Sequence, residues 1–146
     1  MDQSSERRVL VVHDEPAFTA TLTKAFASLE FVSDVAVDCR AALASIALKR
    51  PDVVCVSLNL PRESGYDLCE QIRKDPDLDQ VQILVLSDRH SPEIVAYAEE
   101  AGANAFLTRP FKLDLLERYV VTMLEMRGRV RTREIRYYLG DGVALE

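Results

Sequence analysis

Four short polar groups each follow an apolar run: His13-Asp14-Glu15, Ser57 with Asn59, Ser87-Asp88 and Thr108-Arg109-Pro110. Brought together, they would support three kinds of chemistry. A serine beside a histidine that an acid orients is the outline of a hydrolase nucleophile. His13 and Asp14 are two ligands of a metal, short of the full set a site needs. A histidine beside a carboxylate also titrates near neutral pH, which would make the pocket a proton sensor. No loop carries a nucleophile elbow or a dedicated oxyanion hole, which speaks against the hydrolase.

The apolar runs decide whether these groups meet. RVLVVH, Arg8 to His13, is β-branched and too short for a helix, and the Asp-Glu-Pro after it is a turn into a helix start. Phe18, Leu22, Ala25, Phe26 and Leu29 recur at three- and four-residue intervals, so Pro16 to Glu30 buries one helical face. FVSDVAV returns to strand character, AALASIALKR is helical and closed by Pro51, and DVVCVSL is apolar on consecutive residues, as in a strand covered on both faces. Beyond it the pattern predicts a helix over Gly65 to Lys74, a strand over Val81 to Leu86, a helix over Pro92 to Ala101, a strand at ANAFL and a helix opening after Pro110. Strands alternating with helices predict a parallel sheet with helices on both faces. In such a sheet ligands gather beyond the carboxyl ends of the strands, where the strand order reverses, so the four groups should share one pocket. Leu113, Leu116, Val120, Met123, Val130 and Tyr137 are spaced to carry the last helix to at least Met126 and on to about Leu139, although Gly128 weakens it by about 1 kcal/mol.

These motifs together resemble the receiver domains of bacterial two-component response regulators. VLVVHDEP is similar to the first strand and acidic turn, and PDVVCVSLNLPRESGYDLCEQIR to the phospho-acceptor strand, loop and third helix. VQILVLSD is similar to the fourth strand with its hydroxyl residue, and NAFLTRPF to the fifth strand with its basic residue and proline. The resemblance covers about residues 7–126. It implies a flavodoxin-like, doubly wound five-stranded parallel sheet of order 2-1-3-4-5, here with an extended C-terminal helix. It also implies a bacterial, cytoplasmic signalling role. The family places two acids at the positions of His13 and Asp14; with the phospho-acceptor aspartate and a backbone carbonyl, here that of Asn59, they hold Mg²⁺. The phospho-acceptor position is Ser57, the reorienting hydroxyl is Ser87, the aromatic switch is Phe106, and the usual lysine is Arg109.

Three departures point one way. Mg²⁺ dehydrates reluctantly and needs carboxylate oxygens, so with His13 and Ser57 in place of two acids only Asp14 remains to hold it, and binding is expected to be weak or absent. A serine hydroxyl, unlike a carboxylate, is not anionic at neutral pH and would need a general base to accept a phosphoryl group. Arg109 keeps the charge of lysine but not its compact ammonium. The expectation is a pseudo-receiver: a non-catalytic, phosphorylation-independent module that binds another signalling protein or output domain. The alternative is a switch that answers to a small ligand, an ion or pH in the altered pocket.

Composition bounds the rest. The 146 residues suit one domain, 48% hydrophobic and 29% charged, without an apolar run long enough to span a membrane. Cys39, Cys55 and Cys69 are an odd, scattered set that reads as buried thiols in a reducing compartment. The net charge of −6 argues against nucleic acid as a partner. Residues 1–126 carry 13 basic and 21 acidic side chains, whereas 127–146, a basic helical extension or linker, carry 5 and 3. Its arginines, Arg127, Arg129, Arg131, Arg133 and Arg136, read as a solvated linker or as a contact surface for an acidic partner or a second copy, in a homodimer built on the last helix.

Overall fold

The computed structural model describes residues 6–89, 91–125, 136–138 and 144–145. In chain order its elements are β1 (Arg7–Val12), α1 (Pro16–Ser28), β2 (Phe31–Ala36), α2 (Cys39–Leu48), β3 (Val53–Ser57), β4 (Asn59–Leu60), β5 (Glu63–Ser64), α3 (Gly65–Arg73), β6 (Gln82–Ser87), α4 (Pro92–Ala101), β7 (Ala105–Thr108), α5 (Leu113–Glu125), β8 (Arg136–Tyr138) and β9 (Ala144–Leu145). The main sheet runs β2-β1-β3-β6-β7, all parallel, and continues through β8 and β9.

Strands apolar on consecutive residues must bury both faces, and alternate residues divide between two cores. Leu10, Val12, Val54, Val56, Ile83, Val85 and Phe106 pack with Ile46 of α2, Leu68 and Ile72 of α3, and Val95 and Ala98 of α4. Val9, Val11, Cys55, Leu84, Leu86 and Leu107 pack on the opposite side with Leu22 and Phe26 of α1 and Leu116 and Val120 of α5. The three cysteines are free and buried, and burial pushes each thiol up to about 12.

The helices begin where short polar side chains can cap them. Asp38 accepts from the Ala41 amide at 2.8 Å, Ser64 from the Tyr66 amide at 3.1 Å and Ser91 from the Ile94 amide at 3.1 Å. Helix α1 has Pro16 in its first turn and no side-chain cap, which leaves the Glu15 carboxylate available for the pocket. Gly65 opens α3 directly against the Ser57 carbonyl, in space that a Cβ would fill, so β3 and α3 are in close contact there.

The C-terminal segment departs from the sequence reading. Arg136–Tyr138 is a strand parallel to β7, so no single helix runs from residue 113 to Leu139, and residues 127–146 are not a helical extension throughout. Tyr137 and Tyr138 favour extended backbone, and the outer edge of β7 offers unpaired amides and carbonyls to bond. Met126, Arg127, Arg129, Arg131 and Arg133 lie outside the described residues.

Candidate functional site

The strand order reverses between β1 and β3, and the four polar groups meet there. His13, Asp14, Glu15, Ser57, Asn59, Leu86, Ser87, Asp88 and Arg109 line one cavity of about 230 Å³. Ser57 lies opposite Leu86 in the β3–β6 register and Ser87 opposite Thr108 in the β6–β7 register, so the strand ends step around the pocket floor.

Ser57 is 7% exposed, and its hydroxyl donates to the Asn59 carbonyl at 3.2 Å. The hydroxyl is thus turned into its own loop, toward the carbonyl that the family resemblance assigns to a metal. The loop is held from beneath, with the Leu58 amide donating to the Leu86 carbonyl at 2.7 Å and the Gly65 amide to the Leu58 carbonyl at 2.9 Å.

His13 is 5% exposed at the end of β1. Its Nδ1 accepts the Glu15 backbone N–H at 3.0 Å, which places the ring proton on Nε2, 3.6 Å from Glu15 Oε1. Burial and then the Arg109 cation push the ring's pKa below 6.5, and together they outweigh the neighbouring carboxylates. A ring nitrogen that accepts an amide proton carries none of its own, so the 3.7 Å approach of Asp14 Oδ1 to Nδ1 is not an ion pair. His13 therefore stands neutral at pH 7, and Ser57 and His13 bond to backbone groups of their own loops rather than to each other.

Arg109 is the most connected side chain of the pocket. Its Nε donates to Asp88 at 2.7 Å and its Nη1 to Glu15 at 3.0 Å, and its Cζ lies 4.2 Å from the centroid of the Phe18 ring. The bond to Asp88 is the main cause of a pKa raised above the ordinary arginine value. Phe18 also meets His13 edge-on at 4.9 Å and Phe111 at 6.2 Å, so one ring of α1 touches the ends of β1 and β7 and the approach to α5. On the far side, Arg109 and Asp88 wall a second, apolar cleft of about 560 Å³ with Phe18, Pro110, Phe111 and Leu113.

Ser87 is also committed: its hydroxyl donates to the Arg89 carbonyl at 2.6 Å and accepts the Arg89 amide at 3.1 Å. Phe106 is 1% exposed within the core shared with α3 and α4. Two residues on, Thr108 Oγ1 is buried and has no hydrogen-bond partner among the described residues.

The donors present do not fit six-coordinate Mg²⁺. Among the described residues, no three side chains of His, Cys, Asp or Glu converge on a point that would hold a metal. Glu15 and Asp88 are engaged with Arg109. Asp14 is left as the single acid of the resemblance's metal set.

Of the residues singled out from the sequence, His13, Asp14, Glu15, Ser57, Asn59, Ser87, Asp88 and Arg109 line this cavity, whereas Phe106 lies in the core beside it, Pro110 lines the second cleft and Thr108 lines neither. Sequence reasoning missed Phe18 as the platform of Arg109, and Glu15 and Asp88 as its two carboxylates. The available signal was the position of Phe18 in the first turn of the helix that Glu15 precedes.

Comparison with known proteins places this geometry. Residues 9–121 match the family model described as the response regulator receiver domain. The response regulator MprA of Mycolicibacterium vanbaalenii is 36% identical over 109 residues, which are 75% of this chain and 46% of that protein. The transcriptional regulatory protein KdpE of Staphylococcus aureus is 29% identical over 129 residues, 88% of this chain and 50% of its own length. The chain thus spans about half the length of the curated relatives it matches. Among solved structures, the receiver domain of a signal transduction histidine kinase from Syntrophus aciditrophicus superposes with a TM-score of 0.77 at 26% identity, covering 86% of this chain and 96% of that one. The chemotaxis protein CheY4 of Vibrio cholerae gives 0.78 at 25% identity, covering 82% and 100%.

Proposed function

This chain belongs to the response regulator receiver domain family, and from that premise we propose that it serves two-component signalling as a phosphorylation-independent interaction module without catalytic activity. The observation that carries the reading is Ser57 itself: a buried neutral hydroxyl at the phospho-acceptor position, bonded to the carbonyl two residues on. A carboxylate nucleophile is anionic before it reacts, whereas this hydroxyl has no general base, because His13 spends Nδ1 on a backbone amide.

The surroundings support the same reading. Three carboxylates, Asp14, Glu15 and Asp88, face one guanidinium in the pocket, so the local field opposes an incoming phosphoryl dianion rather than drawing it in. Arg109 and Ser87, the basic and hydroxyl groups of the family pattern, already bond elsewhere. The arrangement is held by the protein's own side chains, so the outer face needs no phosphoryl group to set it.

The working surface in this reading is the face of α4, β7 and α5, where α4 exposes Tyr97 and α5 exposes Val121. The partner is another signalling protein or an output region, by analogy with relatives that are response and transcriptional regulators. Mg²⁺ binding is weak or absent. No helix of the described residues is long and apolar enough to cross a membrane, in keeping with a partner met in solution.

The test is incubation with radiolabelled acetyl phosphate and Mg²⁺, followed by hydroxylamine. The expected result is no hydroxylamine-sensitive label on the chain. A stoichiometric acyl phosphate would overturn the reading.

A further inference from the structure

We propose that Arg136–Tyr138 is a tethered strand that closes the β7 edge of its own chain and controls access to the face that β7 shares with α4 and α5. The argument begins with β7. Within the five-stranded parallel core, β7 pairs with β6 on one side only, and an outer strand leaves a row of amides and carbonyls open to any extended chain. The chain fills that row itself, with Ala105 opposite Arg136, Phe106 opposite Tyr137 and Leu107 opposite Tyr138.

The connection suits the role. A parallel partner must be reached by a crossover of a dozen or more residues, usually a helix, and α5 supplies one of 13 residues between β7 and β8. The new outer strand is shielded in turn, because β9 pairs antiparallel with β8, Tyr137 opposite Leu145 and Tyr138 opposite Ala144. The middle position of the pairing is the backbone of Phe106, whose side chain is buried beneath α4, so strand docking fixes β7 next to that core.

The three described residues of β8 pair at the margin of the sheet, outside the two cores, where pairing opens well before the core does. Because β8 belongs to the same chain as β7, its closure is intramolecular and does not depend on protein concentration. A partner that reads this face by adding an extended strand must therefore displace the chain's own segment. The regulatory consequence rests on the interaction reading above; the docking does not.

The test uses the full chain. In the wild type, nuclear Overhauser contacts should join backbone protons of residues 105–107 to those of 136–138, and their absence would overturn the proposal. The second arm is the double variant Tyr137→Pro/Tyr138→Pro. Successive amides of a strand point to opposite sides, so the pair removes whichever one faces β7. The β7 amides that point away from β6 should then exchange with solvent at least about tenfold faster, while β1 and β3 amides keep their protection. Unchanged β7 exchange in a folded variant would also overturn the proposal, and if the variant fails to fold, the wild-type contacts decide. Acyl phosphate formation on a wild type that keeps these contacts would remove the proposed function and leave the docked strand standing.

Discussion

The guanidinium of Arg109 lies 4.2 Å from the centroid of the Phe18 ring while it bonds Asp88 and Glu15. One side chain after β7 thereby joins the loop after β6, the start of α1 and an aromatic ring of the same helix. The contact has a double effect. It satisfies the pocket's cation without a phosphoryl group, and it ties together three loops that a switching receiver would have to move independently.

Arg109→Ala should lower stability by roughly 1–2 kcal/mol, the sum expected of a cation–π contact and two partly exposed ion pairs. For a domain of this size that is a fall in Tm of about 2–8 °C. Arg109→Lys should recover only part of it, because an ammonium cannot reproduce the planar fork on two carboxylates. A melting series on the three proteins checks this, and an alanine variant as stable as the wild type would show that the clamp contributes nothing.

His13 should titrate with a midpoint below 6.5, read from its ring protons by NMR. Since the folded value lies below the unfolded one, the unfolded chain takes up the proton first. The residue's contribution to stability is whole above the unfolded pKa and is lost as pH falls through the folded value. His13→Asn keeps an acceptor for the Glu15 amide and removes the titration, so its stability should decline less steeply from about pH 7 to about pH 5. A midpoint at or above 6.5 would contradict the neutral, amide-bonded ring.

Restoring acids should restore chemistry. The double variant His13→Asp/Ser57→Asp rebuilds a three-carboxylate set with Asp14, and it should bind Mg²⁺ at least about tenfold more tightly than the wild type and gain acetyl phosphate labelling. Ser57→Asp alone should gain less. If the double variant remains inert, the Arg109 clamp rather than the two missing acids silences the pocket.

Thr108→Val should stabilise the protein by about 1 kcal/mol, because it exchanges a buried hydroxyl without a partner among the described residues for a methyl group of similar shape. Denaturant unfolding measures the change. A loss of stability would mean that the hydroxyl is bonded after all.

The fold was legible because its signals are local. Runs such as VVCV and ILVL are apolar on every residue, which only a strand buried on both faces requires, and each is punctuated by a helix start such as Glu15-Pro16 or Ser91-Pro92. Pocket membership was legible too, because the topology gathers strand ends whatever their side chains are. The partners within the pocket were not. Arg109 lies 94 residues from Glu15, and its choice of Glu15, Asp88 and Phe18 depends on how three loops approach one another. The strand at Arg136–Tyr138 escaped for a related reason: Leu113 to Tyr137 fits a helical spacing, and the competing pairing with β7 is non-local.

The central claim, a pocket set without a phosphoryl group, is tested most directly by two-dimensional amide NMR of the wild type, titrated with Mg²⁺ and then with Mg²⁺ plus beryllofluoride. The account predicts no saturable shifts at Asp14, Asn59, Ser87 or Arg109. Saturable shifts at those amides that spread to Phe106 and α4 would show a pocket that still binds and switches, and would contradict it.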